Sequence, residues 1–275
     1  MKLLQRLFTD VPFIESGAFS ALVATDVQLA EHAIFKRLRE SLKPQMELRQ
    51  DGIAIVPVEG PLAYKPDPFE MLVYGVEDSR NVLEMVGGAA RNADVTGILL
   101  NIDSPGGMMV GGFEIADAVR AADKAKPVVA WTGGWATSLA YLIGSQASQV
   151  ISTRTAQVGS IGTILSIADY SKLFEARGIK VEVFTNKEGT LKGTGTIGTS
   201  LSEEQREHLQ ARVNQAHAEF KKQVLAARPG IPDEAMKGQS LFGSEGKKLG
   251  LVDRIGDMNF ALSVLKARIR AGRDK

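Results

Sequence analysis

The chain has 275 residues, 44% of them apolar and 24% charged, with a formal net charge of +1 and no cysteine. The apolar fraction is enough to bury a core and excludes disorder, and the missing cysteine excludes disulfide scaffolds and zinc–cysteine centres. A near-neutral balance with Lys and Arg spread along the chain argues against nucleic acid as a partner, and the length predicts one large α/β domain or two small ones.

Residues 1 to 48 read as a loosely patterned helical leader. Its apolar patches are interrupted by Asp10, Glu15 and Asp26. It offers neither a signal-peptide core nor the roughly 18 uncharged residues that a membrane span needs. A cytoplasmic protein without a stable membrane span is therefore expected. A strand is predicted over Ile53–Val58, a helix over about 76–90 and a second strand over Gly97–Ile102. That strand is nearly all apolar, as buried parallel strands are, and it breaks at Asp103-Ser104-Pro105-Gly106-Gly107. A helix over about 109–122 and a strand over Val128–Trp131 follow. Thr132-Gly133-Gly134 then leads into an apolar helix beginning near Thr137. The uncharged run Pro127–Thr153 is read as buried core, because several Gly, Ser, Thr and Gln residues punctuate it.

Further strands are predicted over Gln149–Ser152, Thr163–Ile167 and Val181–Phe184, with a helix over Tyr170–Arg177 between the last two. Lys187–Ser200 is a Gly/Thr loop. Ser202-Glu203-Glu204-Gln205 forms a capping box. It opens a long helix with apolar residues at Leu209, Val213, Ala216, Phe220 and Val224. Short strands between Gly238 and Ile255 and a helix from about Asn259 complete the pattern. Repeated strand–turn–helix units predict a mainly parallel sheet with flanking helices. The divisions are a leader (1–48), a main domain (49–258) and a C-terminal helix with a basic tail (259–275).

Only three histidines exist: His32, His208 and His217. No Ser-His-Asp triad has an obvious base. Metal-ligand spacing and nucleotide-binding motifs are absent as well, so neither a cofactor nor a metal is expected. Three features suggest chemistry. Gly106-Gly107 ends a buried strand, where bare backbone N–H groups can approach an oxyanion; an ordinary strand-to-helix turn is the alternative. Ser138 sits between small residues and an apolar helix, as a nucleophile would; Ser138 or Thr137 acting as a plain N-cap is the alternative. Lys192 lies in the Gly/Thr loop. A serine without a histidine needs another base, and a lysine serves if burial and a lack of acidic neighbours favour its neutral form. A solvated loop charge is the alternative.

Taken in order, Ser104-Pro105-Gly106-Gly107, Ser138 with Tyr141, Gly159-Ser160-Ile161-Gly162, Lys192, the Ser202 capping box and Gly250-Leu251-Val252-Asp253 resemble a known family. It is the signal-peptide peptidase A (protease IV) family of serine peptidases, in its phage branch of lambda-type minor capsid protein C prohead proteases. The resemblance runs from about Gly52 to Gly256. It implies an α/β, Clp-protease/crotonase-like fold, Ser138 as nucleophile and Lys192 as general base. It also implies oxyanion donors on the N–H groups of Gly107 and Leu139, with Gly106 and Ser160 in support. The implied partners are a peptide or protein substrate, capsid or scaffold proteins, and further copies in a closed homo-oligomer. The implied location is the cytoplasm or the phage procapsid.

The chain departs from the family where Leu139-Ala140 replaces a Gly-Gly pair after the nucleophile, and Leu139 is expected to narrow the substrate groove. It departs again where Asn186–Leu191 precedes Lys192. Glu188 is expected to point away from the lysine amine. Should Ser138 fail as nucleophile, Ser160 and Ser104 are next. Competing readings are an acyl-CoA hydratase or isomerase, an inactive capsid-assembly subunit, and a peptidase that clears signal peptides.

Overall fold

The computed structural model describes residues 43–273. The leader up to residue 42, with His32, and the last two residues of the tail lie outside them. The described chain forms two compact units. Residues 43–162 and 220–273 make the first, and Thr163–Glu219 make the second.

In chain order the first unit contains β1 (Glu47–Leu48), β2 (Ile53–Glu59), β3 (Leu62–Ala63), α1 (Pro68–Tyr74) and β4 (Glu77–Asp78). It continues with α2 (Ser79–Arg91), β5 (Gly97–Asp103), α3 (Gly112–Ala125), β6 (Val128–Thr132), β7 (Trp135–Thr137), α4 (Leu139–Ser145), β8 (Gln149–Ser152) and β9 (Gln157–Gly159). The second unit holds α5 (Ser171–Ala176) and the start of α6 (Glu203–Ala227). From Phe220 onward the chain belongs to the first unit again, adding β10 (Ser240–Phe242), α7 (Gly243–Lys248), β11 (Arg254–Ile255) and α8 (Met258–Arg273).

A six-stranded sheet runs β1-β2-β5-β6-β8-β11, parallel except for the antiparallel edge strand β1. Its central strands are buried on both faces, which is why their sequences look continuously apolar. The period of two still divides them. Ala54, Val56, Ile98, Leu100, Val128, Ala130 and Val150 face one core, shared with α2, α3 and α4. Ile53, Leu99, Val129 and Ile151 face the other, against Ala261, Leu262, Val264 and Leu265 of α8. Each large side chain buried there contributes roughly 1.5–3 kcal/mol. Two small sheets stand beyond the carboxyl ends of the large one: β10-β9-β7 and the parallel pair β3-β4.

Helix boundaries follow local chemistry. Asp67 and Glu70 form a reciprocal capping box at α1. Ser202 and Gln205 do the same at α6, as the sequence predicts. Helix α3 starts at Gly112, later than expected, because Gly111 takes a left-handed conformation (φ 80°) as its cap.

Two expectations are corrected. Thr163–Ile167 and Val181–Phe184 form no strands. Their β-branched and aromatic residues suit a pleated surface, but no ladder partner lies beside them in the second unit, and Ile164 and Phe184 are 89% and 90% exposed. Conversely, β7 was not expected. Its three residues are strand only because β9 and Ser104 pair with them.

Candidate active site

Strand β6 ends at Thr132, the chain turns through Gly133-Gly134, and β7 delivers Ser138 to the start of α4. Ser138 has φ 53° and ψ −126°, a conformation that costs a non-glycine residue about 1–3 kcal/mol. It persists because the surroundings fix it. The Ser138 N–H donates to the Gly159 carbonyl at 2.8 Å, and the Ser138 carbonyl accepts from the Leu142 N–H at 3.0 Å. The Thr137 hydroxyl donates to the Pro105 carbonyl at 3.0 Å. The N-cap alternative therefore fails for both residues. Thr137 Oγ1 is engaged elsewhere, and the Ser138 hydroxyl makes no capping bond although Ser138 occupies the cap position. All of α4 is buried, so the serine rides on a helix locked into the core.

The Gly-Gly turn packs directly on this serine. A Cβ on Gly106 (φ 100°) would stand 2.7 Å from Ser138 Cβ and 2.8 Å from the Leu139 nitrogen. Any side chain there would displace the Ser138 turn. Gly107 is clasped by β3: the Leu62 N–H donates to the Gly106 carbonyl and the Met108 N–H to the Leu62 carbonyl, both at 2.8 Å. A Cβ on Gly107 would collide with the Leu62 backbone. Among the described residues, the N–H groups of Gly107 and Leu139 donate to no backbone partner. Free N–H donors are what a tetrahedral oxyanion requires. The Leu139 side chain is 0% exposed and belongs to the core, where it packs against Gly112. The expectation that it narrows the substrate groove is corrected: its N–H faces the turn while its side chain points inward.

The hydroxyls of the reserve candidates are both engaged. Ser104 is fully buried, and its hydroxyl donates to the Gly60 carbonyl at 2.6 Å while accepting from the Gly106 N–H at 3.1 Å. Ser160 has φ 50°, and its hydroxyl donates to the Gly238 carbonyl at 3.2 Å. Its immediate neighbour Gly159 holds the Ser138 N–H, which gives the Gly159-Ser160-Ile161-Gly162 segment a supporting place.

The first unit thus brings together Gly106, Gly107, Ser138, Leu139 and Ser160. Lys192 belongs to the second unit. It is exposed within a succession of turns, its N–H donating to the Gly189 carbonyl at 3.0 Å. Among the described residues it forms no ion pair, and Glu188 accepts instead from the Asn186 amide at 3.4 Å. His208 lies exposed on α6 in the same unit, and His217 is part-buried there. Among the described residues no group of three His, Asp or Glu side chains is arranged to hold a metal ion, and no helix is long and apolar enough to cross a membrane.

The remaining motifs serve the far end of α4. The Tyr141 hydroxyl donates to the Leu251 carbonyl at 3.0 Å, and burial pushes its pKa up. Asp253 accepts from the Val150 N–H and from Arg228, both at 2.6 Å. Arg228 in turn donates to the carbonyls of Ser145 (3.2 Å) and Ala147 (2.8 Å).

The Peptidase family S49 model matches residues 120–271, more than half of the chain. The chain belongs to peptidase family S49. The Clp protease model matches residues 77–160, in keeping with the Clp-type α/β fold that the resemblance implied. The head-tail preconnector protein GP5 of Enterobacteria phage P21 is 31% identical over 81% of this chain and 45% of its own length. The capsid assembly protease C of Escherichia phage lambda is 28% identical over 82% of this chain and 51% of its own. A Methanocaldococcus jannaschii protein with a protease designation, MJ0651, is 31% identical over 69% of this chain and 61% of its own. The chain thus spans about half to three fifths of the length of these relatives.

Proposed function

We propose that this S49 chain is a serine endopeptidase with a Ser138/Lys192 dyad, working on proteins of a phage or prophage capsid. The observation that carries the reading is the Ser138 turn: a serine at positive φ, without a capping bond, packed against Gly106, with the next N–H along each chain segment, on Gly107 and Leu139, donating to no backbone partner. An acyl-CoA hydratase or isomerase would need a carboxylate at this point and no strained serine. The capsid setting is supported by the two phage relatives, one of them named as a capsid assembly protease.

The chemistry follows from the groups. Neutral Lys192 takes the proton from Ser138 Oγ, which attacks the peptide carbonyl. The N–H groups of Gly107 and Leu139 receive the charge that develops on the carbonyl oxygen. The lysine ammonium then protonates the departing amine, and water repeats the cycle on the acyl-enzyme. A lysine acts as base only when it is shielded from water, so an exposed Lys192 calls for a covering surface. Ile164, Leu165, Phe184 and Ile197, exposed apolar residues of the second unit, fit a closed homo-oligomer whose contacts provide that cover.

The deciding experiment is Ser138→Ala. Loss of at least about a thousandfold in peptide hydrolysis and of fluorophosphonate labelling is expected, with thermal stability kept. A folded Ser138→Ala protein that retains a few per cent of the activity overturns the assignment.

A further inference from the structure

We propose that Ser104 is a positioning residue that sets the oxyanion hole; this rests on the reading of Ser138 as nucleophile. The side chain looks at first like a rival nucleophile, yet it has no access to substrate. Its single proton goes to the Gly60 carbonyl at the end of β2, at 2.6 Å. That fixes the rotor and leaves the lone pairs of Oγ for the Gly106 N–H at 3.1 Å.

The consequence lies one peptide further along. The Gly106 carbonyl is held by the Leu62 N–H at 2.8 Å. In a planar trans peptide the following N–H points opposite to the carbonyl, so the Gly107 N–H faces away from β3. Gly106 is therefore pinned at both its polar groups, by Ser104 Oγ on one side and by Leu62 on the other. Glycine has the widest backbone freedom of any residue, and a Gly-Gly pair left unpinned would let the Gly107 peptide turn. The Ser104 backbone adds a third tie. Its N–H donates to the Trp135 carbonyl at 2.8 Å and its carbonyl accepts from the Thr137 N–H at 3.3 Å. One residue thus registers the end of β2, the oxyanion turn and the strand that carries the nucleophile.

The test compares a peptide substrate with a peptide aldehyde of the same sequence, whose hemiacetal oxygen occupies the oxyanion hole. Removing a donor outright costs about 10²–10³ in kcat, so mis-setting one in Ser104→Ala is expected to cost about 10- to 100-fold. KM should stay within about twofold, and aldehyde affinity should fall in proportion to kcat/KM, because only the tetrahedral state uses the hole. Ser104→Cys, with a weaker hydrogen-bonding group of similar shape, should fall between. If Ser104→Ala does not fold, the same split is required of Ser104→Cys. Unchanged kcat in the folded variants, or a raised KM with aldehyde affinity intact, overturns the proposal. If Ser138→Ala proves active, the nucleophile reading falls instead; if it is inactive while Ser104→Ala keeps full kcat, only the role of Ser104 falls.

Discussion

Around Ser138 the backbone is held by distant parts of the chain, while around Lys192 it is held mostly by its own neighbours. The Ser138 turn is tied to Gly159 and Pro105, and the glycine pair beside it is tied to Leu62. In the lysine loop the bonds run over three residues: Lys192 to Gly189, Thr194 to Leu191, Thr196 to Gly193 and Thr199 to Thr196. The Thr190 hydroxyl, which donates to Glu204 at 2.9 Å, is one of the few longer ties. Long-range bonds preorganise a site as soon as the unit folds. Local turns leave the Lys192 side chain exposed. The proposed nucleophile and its donors are thus complete within one unit, whereas the proposed base waits for a surface to bury it.

The sharpest way to break this contrast is at Lys192. Lys192→Ala is expected to remove most of the hydrolysis while thermal stability is unchanged, since the side chain supports nothing within its unit. Lys192→Arg should not restore activity, because a guanidinium stays protonated. Dilution below the point where light scattering finds assemblies should also switch off hydrolysis. Full activity in Lys192→Arg, together with a loss in His208→Ala or His217→Ala, would replace the lysine with a histidine.

The next effect is on stability and belongs to the other side of the contrast. Arg228 is 8% exposed and joins the end of α4 to Asp253. Asp253 is 28% exposed, so removing Arg228 from this part-buried pair, with its bonds to the Ser145 and Ala147 carbonyls, is expected to cost about 1–3 kcal/mol. Arg228→Ala should lose about that much in denaturant unfolding. A loss below 1 kcal/mol would show that α4 is not anchored from its far end.

What the sequence made legible follows the same division. Gly97–Ile102 and Val128–Trp131 read correctly as strands because both faces of the sheet are covered, and Ser138 stood out as a serine between small residues and an apolar helix. The significance of Ser104 could not be read, because it depends on a carbonyl at Gly60, 44 residues away. A buried Ser at a strand end just before Pro-Gly-Gly was the one available signal. The three residues of β7 carry no pattern of their own and become strand through β9. Thr163–Ile167 and Val181–Phe184 failed for the opposite reason: composition reports what suits a ladder and says nothing of whether a partner strand is present.

The smallest expected effect concerns Glu77, whose strand β4 lies beside β3 with Glu77 opposite Leu62, the residue that clasps Gly107. Its carboxyl is buried, and burial pushes its pKa from 4.5 to about 7. The neighbouring Asp78 and Glu59 push the same way, and the Asn81 amide, donating at 3.0 Å, resists. Between those two values the folded protein holds a proton that the unfolded chain has released. Stability from this group is therefore complete below about pH 4.5 and is lost as the pH rises through about 7. Glu77→Gln keeps the shape and never ionises. Its melting temperature relative to the wild type should rise between pH 4.5 and pH 8, by an amount on the order of a few degrees. A difference that stays flat across that range would mean that Glu77 ionises freely. The strap over the Gly106-Gly107 turn would then be open to water, and the contrast between a sealed Ser138 turn and an exposed lysine loop would be weaker than the hydrogen bonds imply.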